Sequence, residues 1–366
     1  MGGNLCDAVR RLFLCAFFAA GWPALAAAQQ ARPSPIAIDT VAAVDEAVDT
    51  SGNDTTSVFL DAVVTVGLGK GFEVVTWPIV QRQQNAWSSD LWIATVRYER
   101  TGRVGLRIDG GLIPSPIGLA NLTVRRPHLN PTIAQPASLF SSLPALEVRG
   151  PRTNLLGAVY PLGGLITVSG TRWDARAAVI DTSPLRRRRI LSNENPPRFG
   201  NVVAGAGVTP IVGLRIGASM ARGGWARAGE SPAVTADRDA TVVTVESEFS
   251  FAFTKLAAEW ARDTIDTSTG THVASGWFLQ GQQTLAPRWF LAARVERIFS
   301  PIVLPAAIVD YDFANVEEVL GFRLTPELTV RGGHRARRAF GPPGAIERPG
   351  FTHQVEVSLV WWKRWI

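Results

Sequence analysis

The sequence predicts an all-β fold, a transmembrane antiparallel barrel of about 16 strands (about 14–18), with a long loop folded into its lumen. Three observations carry that expectation. Phe351, His353, Val355, Val357, Leu359 and Trp361 fall on one face of a terminal stretch whose other face holds Thr352, Gln354, Glu356 and Ser358, the period of two of a strand with one apolar side. The same alternation recurs along the chain. An export leader stands at the other end.

Residues 1–28 have the three parts of a signal peptide: Arg10 and Arg11, the apolar run Leu12–Ala20, and the small residues Ala26–Ala28 before Gln29. Both cysteines, Cys6 and Cys15, lie in that leader, so the mature chain is expected to have no disulfide and no cysteine metal site. Over the full sequence, 34 glycines, 24 prolines and a mean hydropathy of only +0.10 suit many strands and turns rather than membrane helices. The longest uncharged run, Pro127 to Leu146, is interrupted by Pro131, Pro136 and Pro144, and a spanning helix needs about 20 unbroken apolar residues. A chain that enters lipid without such helices must do so as a closed barrel, the other structure that satisfies its backbone there.

The N-terminal segment 29–56 offers a first strand at Pro35–Val44, and the barrel proper occupies 57–366. Val58, Leu60, Ala62, Val64 and Val66 oppose Phe59, Asp61, Val63 and Thr65; Ala94, Val96 and Tyr98 oppose Thr95, Arg97 and Glu99. The cleanest case sets Leu214, Ile216, Ala218 and Met220 against Arg215, Gly217 and Ser219. Similar patterns place strands near 57–67, 71–80, 91–99, 104–113, 164–171, 173–182, 201–209, 211–221, 240–250, 252–262, 271–283, 287–298, 313–324, 326–336 and 350–363. With Pro35–Val44 these make an even number, as bacterial single-chain barrels require.

Short connections near Arg100–Arg103, Arg172, Pro210, Phe251, Ala286–Pro287 and Pro326 alternate with long ones at about 183–200, 222–239, 299–312 and 337–349. The longest connection, 114–163, holds eight prolines and little charge, and a segment of that length without a clear element usually has a function. Trp77, Trp92, Trp173, Trp260, Trp277, Trp289, Trp361 and Trp362 lie near strand ends, where indoles favour a membrane interface; ordinary core packing is the competing reading.

The leader, the dyad strands, the long third-loop-like insertion and the aromatic-rich last strand together resemble the Gram-negative porins. The run from Arg107 to Leu119, with its Pro116-Ile117-Gly118-Leu119 turn, looks like the strand entering the constriction loop of sixteen-stranded porins. The chain departs from the porin pattern at its end, where Lys363 interrupts the apolar face before Trp365. The resemblance implies a homotrimeric diffusion channel of the outer membrane, with 114–163 as the constriction loop.

Charges on a lipid-facing surface cost about 2–4 kcal/mol each at the midplane, so a wet lumen is where this chain can keep them. Arg97, Arg107, Arg215, Arg294, Arg323 and Arg331 share the predicted lumen side with Asp109, Glu246, Glu248 and Glu296 and are the candidate pore-lining residues. For any one of them, a cross-strand ion pair stiffening the wall is an equally good reading. Arg186, Arg187, Arg188 and Arg189 fall in a predicted outer loop and form a candidate basic vestibule that would draw anionic solutes or grip lipopolysaccharide phosphates; a solvated charge run is the bland alternative. His128, His272, His334 and His353 are widely spaced, and no nucleophile or phosphate-loop motif occurs, so no enzyme activity, metal, cofactor or nucleic-acid partner is expected. The functional expectation is passive diffusion of small hydrophilic solutes, with anion preference. The alternatives are a closed structural or adhesive barrel whose outer loops bind a partner, and an outer-membrane lipase.

Overall fold

Sixteen strands run in sequence order and each pairs with its chain neighbours, so the sheet has no free edge once the first strand meets the last. The computed structural model describes residues 35–50, 52–83, 86–144, 146–147, 150–156, 160–186, 198, 200–304, 307–340 and 350–365. The strands are β1 Ile36–Asp49, β2 Asp54–Gly69, β3 Phe72–Gln83, β4 Ala86–Arg100, β5 Gly105–Leu112, β6 Leu162–Ser169, β7 Trp173–Ile180 and β8 Asn201–Ile211. They continue as β9 Leu214–Ala226, β10 Arg238–Phe251, β11 Thr254–Thr267, β12 Gly270–Ala286, β13 Trp289–Leu304, β14 Ala307–Arg323, β15 Leu328–Phe340 and β16 Thr352–Trp365. The seam pairs β1 with β16 antiparallel, from Ile38 opposite Trp365 to Asp49 opposite Gln354. Closure satisfies every ladder, which is what a sheet in hydrocarbon requires.

Side-chain parity follows the alternation of the sequence. Leu60, Val96, Ile108, Val179, Val202, Met220, Leu291, Leu320 and Val355 stand exposed on the outside. Their inward neighbours Asp61, Asp109, Ser219, Glu246, Arg294, Glu317 and Glu356 are buried. An apolar exterior around a polar interior is the inverse of a soluble sandwich and the pattern of a barrel wetted from inside.

At one end the turns are tight: Gly69–Phe72, Ser169–Trp173, Ile211–Leu214, Phe251–Thr254 and Ala286–Trp289 join their strands directly. The other end carries the long connections, above all the one between β5 and β6. The segment 299–312, expected as a loop, is mostly strand: β13 and β14 stay paired up to Leu304 and Ala307, with Pro301 opposite Asp310. A proline withholds one donor from a ladder but does not end it, and at a protruding strand end that loss is small. The expected leader, 1–28, and Arg187, Arg188 and Arg189 lie outside the described residues.

The β5–β6 connection turns inward and packs inside the barrel. Its two short helical turns are α1, Ala120–Thr123, and α2, Ala137–Phe140. Ile113, Ile117, Ala120, Val124, Leu139, Leu155 and Leu156 of this segment join Leu165, Ile180, Val242, Ile265 and Phe278 of the wall in one buried apolar cluster. A second cluster gathers Phe59, Trp77, Ile79, Trp92 and Ile93 of the opposite wall around Tyr160. Trp77 and Trp92 therefore point into the barrel rather than to a membrane interface. Trp92 stacks on Tyr160 at 5.1 Å and meets Trp77 edge-on at 4.9 Å. Trp77 shares the inward parity of Val75, Ile79 and Gln81, whereas Trp92 is the extra residue of a bulge that puts both Trp92 and Ile93 inside and breaks strict alternation. Trp362 also turns inward and stacks on His128 at 5.5 Å.

Candidate functional site

The inserted segment is fastened to the wall through its own backbone, because a chain with so few regular elements must find partners elsewhere for its buried N–H and C=O groups. Wall carboxylates take the donors. Glu259 accepts from the N–H of Leu119 (3.0 Å) and Ala120 (2.7 Å), Glu317 from Ile133 (2.7 Å) and Ala134 (2.9 Å), and Glu296 from Ser138 (2.8 Å). Wall guanidiniums take the carbonyls. Arg294 donates to Ala134 O at 2.8 Å and Gln135 O at 3.3 Å; Arg331 donates to Asn130 O and Thr132 O, each at 2.7 Å.

At the entry to the loop, Gly118 donates its N–H to Ser219 Oγ at 3.0 Å and accepts from Arg176 at 3.3 Å. Its φ of +67° lies where side chains are strained, and a Cβ there would collide with the carboxylate of Glu259.

This geometry distributes the predicted pore-lining residues among different environments. Arg294, Glu296, Arg331 and Glu246 have almost no contact with solvent. Arg294 pairs with Glu317 at 2.6 Å and with Glu296 at 3.6 Å. Asp109 is fully buried between Arg97 (2.7 Å) and Arg107 (2.6 Å), and Arg97 reaches on to Glu73 at 3.0 Å. Arg215 joins Asp174 (2.9 Å) to Glu246 (3.2 Å), which Arg176 also approaches at 3.1 Å. Glu248 lines a cavity with Arg215 and Lys255. Arg323 lies at the tight-turn end, its guanidinium over the Phe290 ring at 5.3 Å. Arg186 is folded back onto Trp225 O at 2.9 Å and Glu230 at 2.5 Å.

Two cavities flank the inserted segment. The first, of about 310 Å³, lies between β1–β3 and the loop and is lined by Asp45, Ser57, Gln81, Arg125, Asn130 and Gln135 among others. The second, of about 520 Å³, opens among the tight-turn ends of β8–β12 and includes Arg215, Glu248, Lys255, Gln280 and Gln282. Val124 borders both, so residues 122–131 stand as a partition between them.

The partition is held on its other side by Arg126, whose guanidinium grips both oxygens of Asp61 at 2.7 and 3.0 Å. Burial and the charge of Arg126 push the His128 imidazole down to about 4. Burial pushes the Tyr160 phenol up to about 12, against the opposing pull of Arg125. Asp45, Asp61, Asp174 and Arg176 were within reach of sequence reasoning, since each sits at an inward parity position of its strand.

No family model matches the chain, and no curated protein matches it by sequence. Solved structures do. OmpF of Salmonella typhi, in complex with daunomycin, aligns with a TM-score of 0.60 at 12% identity over 90% of this chain and 97% of its own. An anion-selective porin from Comamonas acidovorans gives 0.56 at 13% identity over 90% and 99%, and OmpT of Vibrio cholerae gives 0.58 at 9% over 92% and 100%. The chain has the porin fold. At these identities the likeness is one of architecture: a closed 16-stranded barrel over almost the full length of each neighbour.

Proposed function

We propose that this protein is an outer-membrane porin through which small hydrophilic solutes diffuse passively. The observation that supports this reading above all is the pair of cavities, each bordered by charged and amide side chains, one on each side of the partition 122–131, inside a barrel with an apolar outer wall. A barrel of about sixteen strands leaves an aqueous lumen unless something fills it. Here the loop fills part of it, so the passage is narrow and its walls are the loop and the β1–β4 side. In the outer membrane the tight turns face the periplasm and the long connections face outward.

Charge in the passage supports anion preference. Arg107, Arg215 and Lys255 retain exposure, whereas Asp109 and Glu246 are spent on wall ion pairs. Arg294, Glu296 and Arg331 serve to fix the loop, and so set the width of the passage, rather than to touch the solute. A homotrimer would cover the outer surface where Glu318, His334 and His353 face away from the lumen, an expensive place for polar groups in lipid. The arginines of the long connections are suited to lipopolysaccharide phosphates.

A second reading, a closed barrel acting through its outer loops, draws support from the apolar cluster that welds the inserted segment to β6–β13. Planar-bilayer recording separates the two. Discrete conductance steps, with a reversal potential in a KCl gradient displaced toward the chloride side, support an anion-preferring porin. Silence from correctly folded protein overturns it.

A further inference from the structure

Buried arginines in this protein are generally answered by an acid. Arg126 has Asp61, Arg176 has Glu246, and Arg294 has Glu317. Among the described residues Arg331 has no direct ion pair, but it gives its guanidinium to the carbonyls of Pro127, Asn130 and Thr132 and lies in the field of Asp45, Glu317 and Glu356. Arg125 is different. It is 4% exposed, and among the described residues no carboxylate lies within ion-pairing distance of it. Its guanidinium is held between the rings of Trp92 (4.6 Å) and Phe140 (4.9 Å) and donates to the amide oxygen of Gln135, while its Nε has no acceptor. Two aromatic faces and a neutral amide fix a guanidinium in place without neutralising it, and a buried unpaired cation is among the costlier things a fold can contain. Desolvation accordingly pulls its pKa below that of an ordinary arginine, against the opposing pull of the Tyr160 phenol.

Arg125 lines the outer cavity, and the same cavity is lined by a group of the opposite sign. Asp45 on β1 accepts a hydrogen bond from Ser57 at 3.3 Å through one oxygen; its other oxygen is withdrawn from water with no hydrogen-bond partner, and the cation that acts on it from the wall, Arg331, is itself turned to the loop carbonyls. A simple anion would satisfy Arg125 and meet Asp45; a simple cation would do the reverse. A solute carrying both charges answers both. The amides of Gln81, Asn130 and Gln135 supply further donors and acceptors around it. The volume of about 310 Å³ sits at the small end of ligand cavities, about 300–1,000 Å³.

We propose that the outer cavity is a binding subsite for small zwitterions of amino-acid size, carboxylate toward Arg125 and ammonium toward Asp45. The proposal rests on the porin reading for its role in transport, but not for its binding chemistry. As a subsite above the partition it would raise the local concentration of such solutes and select them over neutral molecules of equal size.

The test uses the purified mature protein in detergent micelles and in planar bilayers, with L-alanine as zwitterion, propionate as anion, ethylamine as cation and glycerol as neutral probe. Calorimetric titration in micelles is expected to show L-alanine binding at least tenfold tighter than any of the other three. In Asp45→Asn the preference for L-alanine over propionate should collapse to within twofold; in Arg125→Gln L-alanine binding should weaken at least tenfold. Arg125→Lys, which keeps the charge, should recover part of the loss. Equal binding of L-alanine and propionate by the wild-type protein overturns the proposal, as does an L-alanine affinity unchanged in both charge-removing variants. Bilayer current is read separately. A protein that binds L-alanine but passes no current keeps the subsite and loses the porin reading, whereas one that conducts without preferring L-alanine does the opposite.

Discussion

Glu317 anchors the inserted loop both directly and through Arg294, and Glu317→Ala is the perturbation that isolates it. One carboxylate oxygen accepts from the N–H groups of Ile133 and Ala134, and the other pairs with Arg294, which is itself fully buried. Removing one member of a buried ion pair costs about 3–5 kcal/mol, because the other charge is stranded. Each orphaned buried N–H adds about 1–3 kcal/mol taken alone. The three effects share one side chain and overlap, and Glu296 at 3.6 Å still offers Arg294 an acid, so the combined loss is about 3–5 kcal/mol. At about 1.4 kcal/mol per decade, that shifts the docked–undocked balance of the loop between about a hundredfold and several thousandfold.

The barrel ladder uses no part of the Glu317 side chain, so the wall should survive. The only cysteines of the chain are Cys6 and Cys15, both ahead of the first strand, so with those two replaced by serine a single reporter thiol can be introduced. Ser138 is 1% exposed and belongs to the same loop. Alkylation of Ser138→Cys by a small reagent should be slow in an otherwise unaltered barrel and at least a hundredfold faster when Glu317→Ala is added, with added noise in the single-channel current. Equal alkylation rates in the two proteins would refute the view that this carboxylate holds the loop.

Three further outcomes follow from the same geometry. Lowering the pH from 7 to 4.5 should destabilise the protein in part through His128: the folded group titrates at about 4 against an ordinary 6.5, so the unfolded chain takes up the proton more readily between those values, and stability present above 6.5 is lost as pH falls toward 4. His128→Gln should show a smaller fall in Tm over that interval. Arg107→Gln and Arg294→Gln should part company in bilayers, the first shifting the reversal potential toward neutrality, because its side chain is 35% exposed, the second chiefly altering conductance and noise, because its side chain is wholly covered. Trp92→Ala should cost about 3–5 kcal/mol as a large buried ring is removed from beside Trp77 and Tyr160, measured as an earlier midpoint in heat-induced unfolding.

How legible the molecule is in its sequence depends on which physical rule governs each part. The strands were legible because alternation is imposed by two solvents, lipid and water, acting on every residue; even the first strand, suggested only by Pro35–Val44, forms as Ile36–Asp49. The inward parity of Arg97, Asp109, Arg215, Glu246 and Arg294 followed from the same rule. What escaped it were places where alternation is locally broken or absent. The bulge opposite Trp77 and Pro78 put Trp92 inside beside Ile93, and prolines near 301 disguised a ladder as a loop. The loop 114–163 could be recognised as an insertion, but its attachment uses backbone groups, which every residue has and no sequence pattern advertises. Parity puts Asp45 on the inward face of β1, but nothing in the sequence marks Arg125, whose significance lies in the partner it lacks.

The seam deserves a last consequence. Trp365 donates from its indole to Thr40 at 3.0 Å, and the ladder between β1 and β16 joins parts of the chain more than three hundred residues apart. Loop-closure entropy of that length must be met before the contact can reward it, so zipping the two ends together is the natural final event of assembly. Until the last strand has been made and delivered, two raw margins remain open to pairing with any other extended chain. A truncation that spares every lumen residue but removes a few seam positions from β1 or β16 should therefore yield aggregates rather than a slightly smaller pore.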